Sequence, residues 1–149
     1  MLVTKIKHTT QLFLASLMVA SLSVHTVQAK EKYIDESQEI FDVIDRWAES
    51  WINLDAETYI SFYSKHYRPD EKTSHRIWAA ERRNRFAVQK WVKLGVTGIV
   101  ISKRDDNSYS VNFKQRYKSD SFRDTVRKKL IFIKEDSEWK INSERITGH

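Results

Sequence analysis

Trp47 and Trp51 stand one helical turn apart, and Tyr59, Phe62, Tyr63 and Tyr67 follow closely. Residues four apart project from the same side of a helix, so the two indoles form one apolar ridge. Asn53-Leu54 breaks that helix, and the Asp55 carboxylate is placed to cap a second one through Tyr59, Ile60, Phe62 and Tyr63. Rings at this density need a concave apolar surface to cover them. The fold must therefore wrap something around residues 46–67.

The preceding helix is predicted from about Glu36 to Ile52. Ile40, Val43, Ile44, Trp47, Ala48 and Trp51 make one broad apolar arc, and Gln38, Asp42, Asp45 and Glu49 make the opposite stripe. Arg68-Pro69-Asp70 is a turn, because Pro69 pushes Arg68 away from helical angles. Ser74 or Thr73 then caps a third helix from about His75 to Gln89. Its inward face is read as Ile77, Trp78 and Val88, with Glu81 and Arg85 in the middle and Arg82 on the flank. Charges there must either pair with each other or line a wet cavity.

After Gln89 the period changes from helical to extended. Trp91–Ser102 is rich in β-branched residues, and a turn follows at residues 103–107. Ser108–Lys118 alternates cleanly, with Tyr109, Val111, Phe113, Gln115 and Tyr117 on one face. Phe122–Lys134 and Trp139–Ile146 read as third and fourth strands, with Trp139, Ile141, Ser143 and Arg145 taken as the inward set of the last. Helices first and then an antiparallel meander give an α+β fold: three N-terminal helices on a curved antiparallel sheet of about four strands.

The first 29 residues read as a leader. Lys5 and Lys7 form a positive start, residues 12–22 an apolar run too short to span a bilayer, and Val27-Gln28-Ala29 a cleavage site after Ala29. Residues 30–149 then form one domain, periplasmic or secreted, with no stable membrane anchor after cleavage. Net charge is +6 over the whole chain and +4 once Lys5 and Lys7 are removed. For an exported chain that balance points away from nucleic acid and toward acidic envelope polymers or surfaces. With no cysteine, disulfides and thiolate chemistry are excluded.

The order of elements and the signature Trp47-(x)3-Trp51, Asp55, Tyr59-Ile60-Ser61-Phe62-Tyr63 resemble the nuclear transport factor 2-like (SnoaL-like) superfamily. The resemblance covers about Glu36 to Ile146 and implies a cone closed by helices around a pocket. Ser74-His75-Arg76, Trp78, Arg82-Arg83, Arg85, Lys90-Trp91, Phe113–Asp120 and Asp124–Lys128 are similar to one subgroup. That subgroup is the accessory domain at the C-terminus of periplasmic L,D-transpeptidase-fold enzymes that trim peptidoglycan, including cell-shape carboxypeptidases. The catalytic cysteine of those enzymes has no counterpart here, so the resemblance implies a binding or positioning role and no peptidase activity.

No acid–base dyad, metal-ligand spacing, phosphate loop or serine-nucleophile motif is evident, so no catalytic residue, metal or cofactor is assigned. What remains is a ring-lined pocket with amide and guanidinium groups: Trp51, Tyr63, Trp78, Glu81, Arg82, Arg85, Gln115 and Tyr117. Rings stack on sugars, and arginine forks hold carboxylates. The expected partner is a peptidoglycan fragment or a cell-wall enzyme. The alternatives are a small isomerase, cyclase or hydrolase of the superfamily, and an adaptor that docks proteins through its strands.

Overall fold

A computed structural model describes residues 13–149. It shows the expected α+β cone, with three helices against a curved four-stranded antiparallel sheet. Helix α1 spans Phe13–Ile52, α2 Ala56–Ser61 and α3 His75–Val88; the strands are β1 Val92–Asp105, β2 Ser108–Ser119, β3 Arg123–Glu135 and β4 Glu138–Gly148. The sheet is a plain meander, β1-β2-β3-β4. The chain divides into two units, residues 1–36 and 37–149, and the fold described here is the second. Lys5 and Lys7 of the predicted leader lie outside the described residues. Val27, Gln28 and Ala29 fall within α1. That helix begins well before the predicted Glu36 because residues 13–52 contain neither glycine nor proline. Among the described residues no helix is long and apolar enough to cross a membrane.

The apolar arc of α1 is buried as its periodicity requires. Ile40 and Trp47 are completely buried, and Ala48 and Trp51 pack partly exposed against the same core. The helix ends on Leu54 in the left-handed region at φ 56°. The Asp55 amide then donates to the Ser50 carbonyl (2.9 Å) and the Leu54 amide to the Trp51 carbonyl (3.1 Å), which satisfies carbonyls that the last turn leaves free. The Asp55 side chain accepts from the Thr58 amide at 3.0 Å and starts α2 as expected. Ser74, not Thr73, caps α3. The chain after α2 is stitched to the sheet: the Ser64 amide donates to the Ile141 carbonyl and the Ile141 amide to that of Phe62.

Among the described residues the strand ladders shift register at four places, and two of these shape the cone. In β1 one extra residue opposes Phe113 between Thr97 and Val100, with Gly98 at φ 65°. A bulge with glycine in the left-handed region bends the strand and sharpens its twist. In β4, Ile131 pairs with Ser143 but Phe132 pairs with Ile141, so Asn142 is the extra residue. A slip of one residue exchanges the two faces of a strand. The predicted inward set Trp139, Ile141, Ser143, Arg145 is therefore correct only as far as Ile141, and beyond Asn142 Glu144 and Ile146 turn inward.

Candidate functional site

The deepest polar feature of the cone is built around Glu144, which sequence reasoning missed. Tyr63 sits just past α2, and its hydroxyl donates to Glu144 Oε2 at 2.7 Å. Trp47 Nε1 donates to the same Tyr63 oxygen at 3.2 Å, and the Tyr59 hydroxyl lies 2.6 Å from it. A hydroxyl has one proton to give, so with Tyr63 committed to Glu144, Tyr59 is the donor. Lys128, on the inward face of β3, caps the other carboxylate oxygen through a hydrogen-bonded ion pair. Its Nζ also lies 5.3 Å from the Trp51 ring centroid and 5.8 Å from that of Trp47, within cation–π range. The Lys128 and Glu144 side chains are 8% and 10% exposed.

Burial pushes the Glu144 carboxyl up. The Lys128 charge, the hydrogen bonds from Lys128 and Tyr63, and the Arg82 charge outweigh that and hold it below the usual 4.5. Burial, reinforced by the Glu144 charge, raises the Tyr59 and Tyr63 phenols. Glu144 is thus a fixed anion, held by a donor on each of its two oxygens. A carboxyl with a depressed folded pKa contributes stability that is complete above its unfolded pKa. That contribution is lost as pH falls through the folded value. Chemical melts at pH 7 and pH 3.5 should therefore show a smaller acid-induced loss of stability in Glu144→Gln than in the parent protein; equal losses would remove Glu144 from the acid response.

Beside this network lies a cavity of about 370 Å³. Trp51 from α1, Arg82, Arg85 and Phe86 from α3, Gln115 and Tyr117 from β2, and Asp124, Val126 and Lys128 from β3 line it. The clean alternation of β2 accounts for its share: Gln115 is 4% exposed and Tyr117 is buried beside it. Gln89, just past α3, donates through Nε2 to the Tyr117 hydroxyl at 2.5 Å. The Oε1 atoms of Gln89 and Gln115 are buried with no hydrogen-bond partner in the protein. Buried acceptors left unmet are costly, so both are open to a donor that enters the cavity.

The structure brings Trp51, Arg82, Arg85, Gln115 and Tyr117 together on the cavity wall. It does not bring the other three there. Tyr63 belongs to the Glu144 network. Trp78 is buried against Tyr63, Tyr67 and His75, with ring centroids 4.5, 4.7 and 5.3 Å away. Glu81 is exposed, and no ion pair joins it to Arg85 among the described residues. The inward face of α3 is Trp78, Ala79, Arg82 and Phe86, while Ile77 is 44% and Val88 77% exposed. The helix is turned by about one residue from the predicted wheel, because the large rings Trp78 and Phe86 fill the core in place of the aliphatic pair. Arg83, on the outer side, forms a fork on Glu57 of α2 at 2.5 and 2.9 Å. Among the described residues no group of three or more His, Cys, Asp or Glu could hold a metal ion.

Residues 39–145 match the family described as the Cds6 C-terminal NTF2-like domain. No curated protein matches the sequence. Among solved structures, Bd1075 of Bdellovibrio bacteriovorus is similar with a TM-score of 0.70 and 22% identity, over 80% of this chain and 43% of that one. The helical cell shape determining protein Pgp2 of Campylobacter jejuni, as its K307A mutant, gives 0.64 and 21%, over 69% of this chain and 38% of that one. An NTF2-like protein of unknown function from Pseudomonas putida gives 0.66 and 12%, over 76% and 86%. At these identities the likeness shows the fold alone. The chain spans less than half the length of the first two proteins.

Proposed function

The chain belongs to the Cds6 C-terminal NTF2-like domain family, and from that premise we propose that it is an exported binding domain whose cone cavity holds a peptidoglycan fragment. One observation carries this reading: Arg82, Arg85 and Lys128 converge on a cavity that also presents the unmet Oε1 of Gln115. A peptide stem carries carboxylates for the guanidinium forks and amide N–H groups for the glutamine acceptors. Trp51, Phe86 and Tyr117 add ring faces on which a sugar can stack. The similarity in fold to a protein described as determining helical cell shape supports an envelope-related ligand in general, and the wall is our choice among its sources. The leader read in residues 1–29 would deliver the domain to the periplasm or the exterior. Catalysis is not part of this reading, because the Glu144 carboxyl is held as an anion by Lys128 and Tyr63 and its depressed pKa makes it a weak base for a substrate proton.

The test is calorimetric titration of the protein with soluble muropeptides. Arg85 makes no ion pair among the described residues, so its donors are free for a carboxylate. Arg85→Lys keeps the charge and loses the fork. It is expected to weaken binding by about 2–3 kcal/mol while the melt stays unchanged. Equal affinities in the two proteins, or no binding by either, would refute the reading.

A second reading rests on Asp124, which lines the cavity and makes no ion pair among the described residues. A carboxylate so placed is what a small isomerase or hydrolase of this fold would need as its base. Turnover of any muropeptide by the parent protein, abolished in Asp124→Asn, would favour that reading over simple binding.

A further inference from the structure

The sheet face turned away from the core carries a dense positive field. The strand registers place its residues in rows. Lys93, Lys118 and Arg123 lie side by side across β1, β2 and β3; Arg116 follows two residues along β2. Lys114 then pairs with Arg127, and Lys129 with Arg145 of β4. Neighbouring strands are about 4.8 Å apart and successive rows about 6.8 Å, so the field extends for about 20 Å along the sheet. No Asp or Glu stands in these rows. None of their cations takes part in an ion pair among the described residues. A hollow of about 340 Å³ at one end is lined by Arg104, Lys129 and Arg145 with no acid.

Like charges set directly opposite on one sheet face destabilise it. Several such pairs left without internal neutralisation make a field that salt only screens and that a polyanion would neutralise directly. We infer that this face binds a linear anionic polysaccharide, through its carboxylate or phosphate groups, independently of the cone cavity. Three features choose that partner. The sheet is curved and these rows lie on its convex side, so a flexible chain can follow them whereas a flat bilayer meets only the crest. The exposed large apolar residues of this surface are Val100 within the rows and Trp91 beside Lys93, at separate places and too little together to insert into lipid. The rows themselves hold no aromatic ring, and Trp91, exposed beside Lys93 at 6.0 Å, offers a stacking face only at one end of the field, where a run of unpaired bases needs several.

The experiment measures binding of the full chain to immobilised sodium alginate between about 50 and 200 mM salt. Phosphatidylglycerol vesicles and duplex DNA are the competing probes. The protein should hold alginate with a log affinity that falls linearly with log salt. Lys114→Glu/Arg127→Glu should lose about tenfold or more in affinity and lower the salt slope by about 2. Lys118→Glu/Arg123→Glu, which alters a different row, should do the same. Both variants should melt no lower than the parent and keep its muropeptide affinity, which separates this face from the cavity. Unchanged alginate binding in both variants would overturn the inference. So would tighter binding to the vesicles or to DNA at equal anion concentration.

Discussion

Glu144→Ala should destabilise the protein by about 3–5 kcal/mol, because it strands the Lys128 ammonium in the interior. Lys128 is held by Glu144 and by the faces of Trp47 and Trp51, and its side chain is only 8% exposed. A ring face supplies about 2 kcal/mol at a desolvated site, less than the several kcal/mol that burying an unpaired cation costs. Tyr63 would also lose the acceptor of its one proton. The loss is thus mainly a penalty for leaving partners unmatched and does not measure the worth of the pair. The double change Lys128→Met/Glu144→Leu removes both charges and should recover most of the stability, since apolar replacements for buried ion pairs are often neutral or better. Denaturant melts of the three proteins check this. An alanine variant as stable as the parent would mean that Lys128 swings into the cavity water and that the pair is not structural.

Trp47→Ala should cost a similar amount, about 3–5 kcal/mol. The ring is completely buried where α1, α2 and the sheet meet. Its centroid lies 5.5 Å from Trp51, 5.9 Å from Tyr59 and 6.1 Å from Phe113, one residue from each side of the cone. Its removal opens a cavity against all three and takes away the N–H that Tyr63 accepts. Trp47→Phe keeps most of the volume and loses the donor, so it should fall between the parent and alanine. A thermal melt of Trp47→Ala that matches the parent would contradict the placement of α1.

The sequence is most informative where one residue type fills one face. Ser108–Lys118 alternates without interruption, and its inward set Tyr109, Val111, Phe113, Gln115 and Tyr117 is buried throughout. Asp55 and Ser74 announce their helices, because a cap is decided by residues three apart. The phase of α3 is harder. Its interior carries four arginines and a glutamate between few apolar residues, so Ile77 and Val88 outweigh Trp78 and Phe86 on a wheel although both are exposed. That one-residue rotation moves Glu81 to solvent and Arg82 to the cavity wall. Glu144 is hidden for a different reason. A bulge at Asn142 exchanges the faces of β4, and no glycine or proline marks it. The extra residue follows from how β4 pairs with β3, which is a property of the sheet and not of the local sequence. The partners of Glu144 were visible separately, Tyr63 as a ring of the aromatic stretch and Lys128 as one of several basic residues in β3. Only the fold joins them.

The cavity as ligand site is tested most directly by heteronuclear NMR of the labelled protein during titration with soluble muropeptides. The side-chain amides of Gln89 and Gln115 and the indole N–H of Trp51 report on the cavity. The side-chain Nε–H groups of Arg116, Arg123 and Arg127 report on the outer face of the same strands. Binding in the cone predicts that the first group shifts progressively and saturates while the second stays in place. Saturating shifts confined to the outer face, or no shift in Gln115 and Trp51 at concentrations where calorimetry shows binding, would contradict it.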